Sequence, residues 1–290
     1  MPKTILLRNV LFAAALALTP LHAQQFEVAS LKPAPVQDFE HCAGDGPSPG
    51  RLVIKCATLQ SLIQSAYGLF GGGRSVAFAP PHIAGGPAWI NTDHYTLEAK
   101  AEGTPRAEMM NGPMLQALLE DRFKLKLHRE MREIPIYNLT VAKSGLKLQA
   151  VTEPCTPLDF AVMMAPPPPG QKSPAFCGSN KMQFQKGLIV VFDVHALSLA
   201  DFAAQISPRL DRTVIDKTGA PGIFDYHLEF ALDDTTPGFL VPRGVLPATA
   251  DPAGGPSIFT AITQLGLKLE PAKGPVEFLV IDQAEKPSGN

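Results

Sequence analysis

The chain lacks most of the features that announce a chemistry. It has no C-x-x-C pair and no H-E-x-x-H helix, which removes the common zinc and metalloprotease signatures and leaves no metal-ligating or catalytic residue to nominate. The glycine run Gly71-Gly72-Gly73-Arg74-Ser75 is not followed by Gly-Lys-Ser/Thr, so it is not a phosphate loop, and no other cofactor fingerprint occurs. Basic residues do not outnumber acidic ones, 25 against 27, so the footprint of a nucleic-acid partner is missing. The single apolar run that stands out, Val10 to Leu18, is about half of the roughly 20 residues that span a bilayer. One pentapeptide, Gly46-Pro47-Ser48-Pro49-Gly50, has the spacing of a serine-hydrolase elbow. Pro49 excludes it, because the elbow uses the backbone N–H of the residue after the serine.

What is present begins with an export leader. In Met1 to Ala23, Lys3 and Arg8 precede the apolar run and Leu21-His22-Ala23 closes on a small residue, so cleavage is expected to leave Gln24 first. The mature protein is then expected in the periplasm or outside the cell, with no transmembrane segment left. Four cysteines, Cys42, Cys56, Cys155 and Cys177, are an even number in an exported chain and imply two disulfides. Of the three possible connectivities, their grouping favours Cys42–Cys56 and Cys155–Cys177, each bracketing a Gly/Pro-rich loop.

Two segments about 140 residues apart follow one order of elements, the pattern of an internal repeat. Thr58 and Ser198 are N-caps of helices whose apolar stripes are Leu59, Leu62, Ile63, Ala66 and Tyr67, and Leu199, Phe202, Ala203 and Ile206. Gly/Pro turns then lead into alternating strands, His94 to Glu98 and Asp225 to Glu229, with Glu98 and Glu229 on the polar face. Second helices, Met114 to Phe123 and Ser257 to Leu265, lead to Leu125-Lys126-Leu127 and Leu267-Lys268-Leu269. Last strands open at Pro135 and Pro275. The expected fold is α+β: two related units, each with two helices packed on a small mixed sheet. The expected division is a signal peptide over 1–23, a first unit over 24–150, a proline-rich linker carrying a disulfide over 151–181, and a second unit over 182–290.

The histidines are scattered, with no pair at i, i+4, and His128 and Glu130 read as the polar face of a strand. The loop Gly85-Gly86-Pro87-Ala88-Trp89 holds the single tryptophan, which makes Gly86, Pro87 and Trp89 a possible binding loop. The alternative is a tryptophan that plugs the edge of a core.

Four stretches carry a family resemblance: Phe26-Glu27-Val28-Ala29-Ser30-Leu31-Lys32-Pro33, Gly85-Gly86-Pro87-Ala88-Trp89, Leu118-Leu119-Glu120-Asp121-Arg122-Phe123-Lys124-Leu125 and Val214-Ile215-Asp216-Lys217-Thr218-Gly219. Together they resemble the soil-associated protein family abundant in acidobacteria, an uncharacterised-domain family with no established site residues to carry over. In element order each unit is also similar to the short N-terminal modules of secretins and TonB-dependent receptors. The expected role is an exported, non-enzymatic binding or interaction module for an envelope protein or small ligand. The rivals are an exported hydrolase with a site between the two units, and a structural envelope protein.

Overall fold

A computed structural model describes residues 25–34, 48–69, 80–156, 176–185, 188–238 and 254–287. The leader, Cys42 and most of the proline-rich linker lie outside the described residues. The first half runs β1 (Phe26–Pro33), β2 (Arg51–Thr58), α1 (Leu59–Ile63), β3 (His82–Gly85), β4 (His94–Ala101), α2 (Ala107–Met109), a π-helical stretch Met110–Met114, α3 (Leu115–Arg122) and β5 (Lys126–Val141). The second runs β6 (Gln149–Ala150), β7 (Ser179–Gln185), β8 (Ile189–Leu197), α4 (Leu199–Ile206), β9 (Thr213–Asp216), β10 (Phe224–Ala231), α5 (Ile258–Gln264) and β11 (Leu267–Gln283).

The local signals act as their chemistry dictates. Thr58, Ser198 and Ser257 each adopt extended backbone, and their hydroxyls accept the N–H three residues on, opening α1, α4 and α5. Along β4 and β10 the side chains alternate, sending Tyr95 and Leu97, and Tyr226 and Leu228, inward. Leu59, Leu62, Leu118, Leu119, Leu199, Phe202 and Ile262 are all buried, as their helical spacing requires.

The strands form three sheets, in the orders β1-β4-β2, β6-β10-β8-β7 and β3-β11-β5-β9. In both of the first two sheets a bulge sits just before a helix. Lys55 and Cys56 together oppose the single residue Thr96, and His195 and Ala196 together oppose Asp225. The second residue of each bulge has positive φ, 53° at Cys56 and 54° at Ala196.

The expectation of two units, each with two helices on its own small mixed sheet, is corrected by this architecture. The protein is mostly β, with three sheets and short helices. The third sheet is built on a ribbon of β5 and β11, 16 and 17 residues long, paired antiparallel from Lys126↔Gln283 to Val141↔Leu267. Each strand had read as two short pieces, because its middle carries prolines and charges in place of an apolar alternation. In that middle the covered face switches: Ile136, Gly274 and Val276 are buried there, whereas Leu139, Leu269, Leu279 and Ile281, on the other face, are buried toward the ends, so no single apolar alternation runs the length of either strand.

The ribbon joins two lobes. Leu279 and Ile281, from the second half of β11, are buried in one core with Leu59, Leu62, Leu97, Leu119 and Phe123. Tyr137 and Leu139, from the second half of β5, are buried in the other with Phe202, Tyr226, Phe230 and Ile262. The first lobe is therefore closed by chain that returns from the second, and β3 runs parallel to that returning strand over Phe278–Ile281. On the other side β9 runs parallel to Ile136–Leu139 of β5.

At the crossing, His82 of β3 meets Thr213 of β9, with Nε2 2.8 Å from Oγ1, and the imidazole packs on the Phe278 ring at 5.0 Å. Burial pushes the His82 pKa below its ordinary 6.5. Unfolding restores the higher value, so the unfolded chain takes up the proton first as pH falls. The His82 contribution is complete above pH 6.5 and is lost below it. The melting temperature is expected to drop on acidification by more in the wild type than in His82→Gln, and identical pH profiles would rule this histidine out as the cause.

Candidate functional site

The feature richest in chemistry is the outer face of the β6-β10-β8-β7 sheet. Alternation turns Val190, Phe192 and Val194 of β8, and Tyr226, Leu228 and Phe230 of β10, into the core. The same alternation leaves Asp193 and His195, and Asp225, His227 and Glu229, on the opposite face. Cross-strand pairing then brings unlike residues together. His227 lies directly opposite Asp193, with Nδ1 2.6 Å from Oδ1. At the bulge, Asp225 Oδ1 takes the His195 Nδ1 at 2.8 Å and accepts the Ala196 N–H at 2.9 Å. The positive φ at Ala196 thus accompanies a backbone N–H aimed at the carboxylate that holds His195.

Both imidazoles are held through Nδ1, which leaves Nε2 as the outward atom. The His227 Nε2 is 3.8 Å from Glu229, too far for a hydrogen bond. Edge strand β7 completes the surface, with Ser179 opposite His195 and Lys181 opposite Asp193. Ser179, Lys181, Asp193, His195, Asp225 and His227, with Gln149 of β6, line a concavity of about 530 Å³. The face offers carboxylate oxygens, imidazole nitrogens, a hydroxyl and an ammonium within one patch, a set suited to a polar partner.

The layer beneath is fixed by a polar cluster. The Tyr226 hydroxyl donates to Gln205 Oε1, and the Arg209 guanidinium donates to the Gln205 carbonyl while lying 5.0 Å over the Phe192 ring. Burial pushes the Tyr226 phenol well above its ordinary range, which keeps it a neutral hydrogen-bond donor, and pushes the Arg209 guanidinium below its own. The strands that carry the His–Asp pairs are thereby pinned to α4 from below.

The segment 60–284 matches the model of a family described as "Protein of unknown function (DUF3738)". The chain belongs to that family. No curated protein and no solved structure matches it. The DUF3738 match begins one residue inside α1 and ends just past β11, so it takes in the second lobe, the ribbon, the whole His–Asp face and the first lobe from α1 onward, while β1 and β2 precede it.

The DUF3738 chain distributes the residues singled out in its sequence as follows. Cys155 and Cys177 form the expected disulfide, with Cα atoms 5.1 Å apart. Cys56 is not free, and its expected partner Cys42 lies outside the described residues. Gly86 has φ +77°, and a Cβ there would press on Ile90 and Ile281. Pro87 precedes a 3₁₀ turn, Ala88–Asn91, and its carbonyl accepts the Ile90 N–H at 3.2 Å. Trp89 packs partly buried against the first core, stacked on Phe123 at 6.2 Å, with Lys286 Nζ 5.8 Å from its ring. Those contacts account for the tryptophan without a ligand. Ser48 makes an isolated bridge to Arg51 and is remote in sequence from every histidine of the site.

The His–Asp face does not show at helical or metal-ligand spacings between histidines. The available signal was the tripeptide Asp-x-His, present as Asp193-Val194-His195 and as Asp225-Tyr226-His227. On a strand that spacing puts both side chains on one face. Among the described residues no group of three or more His, Cys, Asp or Glu is arranged to hold a metal ion.

Proposed function

We propose that this member of the DUF3738 family is an exported, non-enzymatic binding module whose recognition surface is the His–Asp face of the second lobe. The observation that carries this reading is the pair of carboxylate-held imidazoles flooring a concavity beside an edge strand. Side chains anchored before a partner arrives lose little freedom on binding. Export is supported by the leader and by the Cys155–Cys177 disulfide, which belongs in an oxidising compartment. No helix among the described residues is long and apolar enough to cross a membrane.

An internal repeat is part of this proposal, supported by the two orders β1-β4-β2 and β6-β10-β8 and by the matched bulges at Cys56 and Ala196. Aligned on those bulges, Tyr95 corresponds to Phe224, and Leu97 to Tyr226, two residues from the Tyr-to-Tyr match that the sequence invites. The same alignment sets Val53, Lys55, Thr96 and Glu98 in the first lobe against Asp193, His195, Asp225 and His227 in the second. Only one copy carries the polar constellation, as expected if one lobe recognises and the other supports.

The test compares capture from envelope extract by immobilised wild-type protein, by His195→Ala/His227→Ala, and by Arg51→Ala/Glu98→Ala on the first lobe. The site variant is expected to retain its partner about tenfold less well, roughly 1.4 kcal/mol, with the melting temperature and the control variant unchanged. Equal capture by all three would refute the assignment. One arrangement favours a second reading: Ser179, His195 and Asp225 lie in nucleophile, base and orienting order across three strands. Ester hydrolysis by the wild type that disappears in Ser179→Ala would replace binding with catalysis.

A further inference from the structure

The sheet that carries the His–Asp face ends at β7, and among the described residues no strand lies beyond it. The ladder decides which backbone groups of β7 point outward. The Ala231 N–H donates to the Pro256 carbonyl, away from β8, whereas the Leu232 N–H donates to the Leu188 carbonyl. Strand alternation then turns the N–H and C=O of Val190 and Phe192 toward β10, and those of Val191 and Asp193 toward β7. Gln183 and Lys181 answer the latter two, so Asn180 and Met182 send their own N–H and C=O away from the sheet. Among the described residues, none hydrogen-bonds to these four groups.

The side chains along that edge define the strand that fits it. Asn180, Met182 and Phe184 lie opposite Val194, Phe192 and Val190, on the core side of the sheet. Phe184 packs against the core, but Met182 is 44% exposed although its neighbour Phe192 is buried. The apolar layer thus runs out to the edge and stops on an uncovered side chain whose flexibility suits binding surfaces. On the outer side Lys181 lies opposite Asp193, whose carboxylate is already engaged by His227, and among the described residues the Lys181 ammonium has no ion pair. The same strand of a second copy would not supply one, because β7 contains no acidic residue.

We propose that the partner of the His–Asp face is an extended protein segment that adds to β7, with acidic residues alternating with large apolar ones. Its backbone bonds to Asn180 and Met182, its apolar side chains continue the core layer over Met182, and an acidic side chain on the other side reaches Lys181. The added strand borders the concavity that Ser179, Lys181 and His195 line. This inference rests on that face being the recognition surface and names the class of partner it takes.

The probe is the palindromic peptide acetyl-Thr-Val-Glu-Leu-Glu-Val-Thr-amide, labelled for fluorescence anisotropy, and its control carries Lys in place of both Glu. The purified protein with its disulfides intact is expected to bind the acidic peptide at least about tenfold more tightly than the basic one, and Lys181→Glu to reverse that preference. Met182→Pro removes one outward N–H without touching the β7–β8 ladder, and is expected to lose the acidic peptide at an unchanged melting temperature. Methylating the backbone nitrogen of the central Leu, or those of both Glu, should block binding in one case only, since alternate N–H groups of an added strand face β7. Equal binding of the two peptides, no binding of either at millimolar concentration, or full binding by Met182→Pro would overturn the inference. If in those cases His195→Ala/His227→Ala still loses its partner from envelope extract, the face stands as the recognition surface and the added strand alone is refuted.

Discussion

Replacing Leu279 by alanine is expected to unfold the lobe that holds Trp89 while the other lobe stands. Leu279 is fully buried among Leu59, Leu97, Phe123 and their neighbours, although it lies on a strand that begins in the second lobe. Truncation of a large buried aliphatic side chain costs about 2–5 kcal/mol through lost transfer energy and an unfilled cavity. That is a large part of the roughly 5–15 kcal/mol that holds a typical domain folded. The protein has one tryptophan, so its fluorescence reports the first lobe alone, while far-ultraviolet circular dichroism reports both. In urea, the fluorescence midpoint should fall sharply and the dichroism curve should split into two steps. Leu139→Ala is the mirror experiment, because Leu139 is fully buried in the second core. It should leave the early part of the fluorescence curve in place and lower the dichroism midpoint. A single unsplit transition in both variants would show that the lobes unfold as one unit.

Removing the Cys155–Cys177 disulfide is expected to act on the second lobe. The bridge closes a loop with a sequence separation of 22. Chain-entropy reasoning puts its effect at about 3 kcal/mol. Just beyond Cys177, the Gly178 N–H reaches the His195 carbonyl at 2.8 Å and Ser179 begins β7, so the disulfide also positions the edge strand of the His–Asp face. Cys155→Ser/Cys177→Ser should therefore lower the dichroism midpoint and weaken partner capture together, with the Trp89 midpoint little changed. Retention of full capture despite the lost stability would separate the disulfide from the recognition surface.

The parts of the fold legible in the sequence were those governed by neighbours in the chain. Ser198 and Thr58 cap their helices because a hydroxyl three residues from an orphan N–H needs nothing else. The Tyr-x-Leu alternations placed their residues inward because strand geometry has a fixed period. What was hidden depended on partners far away in sequence. His128 and Glu130 are legible as one face of a strand, but nothing local shows that 128–133 runs on unbroken into Pro135–Val141, held by Pro275 to Val280 across the ribbon, with Arg129 paired to Glu277. The candidate site was half visible. Each Asp-x-His tripeptide could have been read as one face of a strand, but only the pairing of β10 with β8 sets His227 against Asp193 and Asp225 against His195.

The route of the chain also decides how the molecule would respond to tension. Phe26 opens β1 in the first lobe, and residues 284–287 close against Phe123 and Asp93 of that same lobe. The second lobe is an excursion that leaves and returns across the waist, at Ile134 and Gly274, which face each other in the ribbon. A pull applied through flanking sequence at residues 25 and 287 loads the first lobe alone. The second lobe, with its recognition face, carries no force until the first has been drawn open.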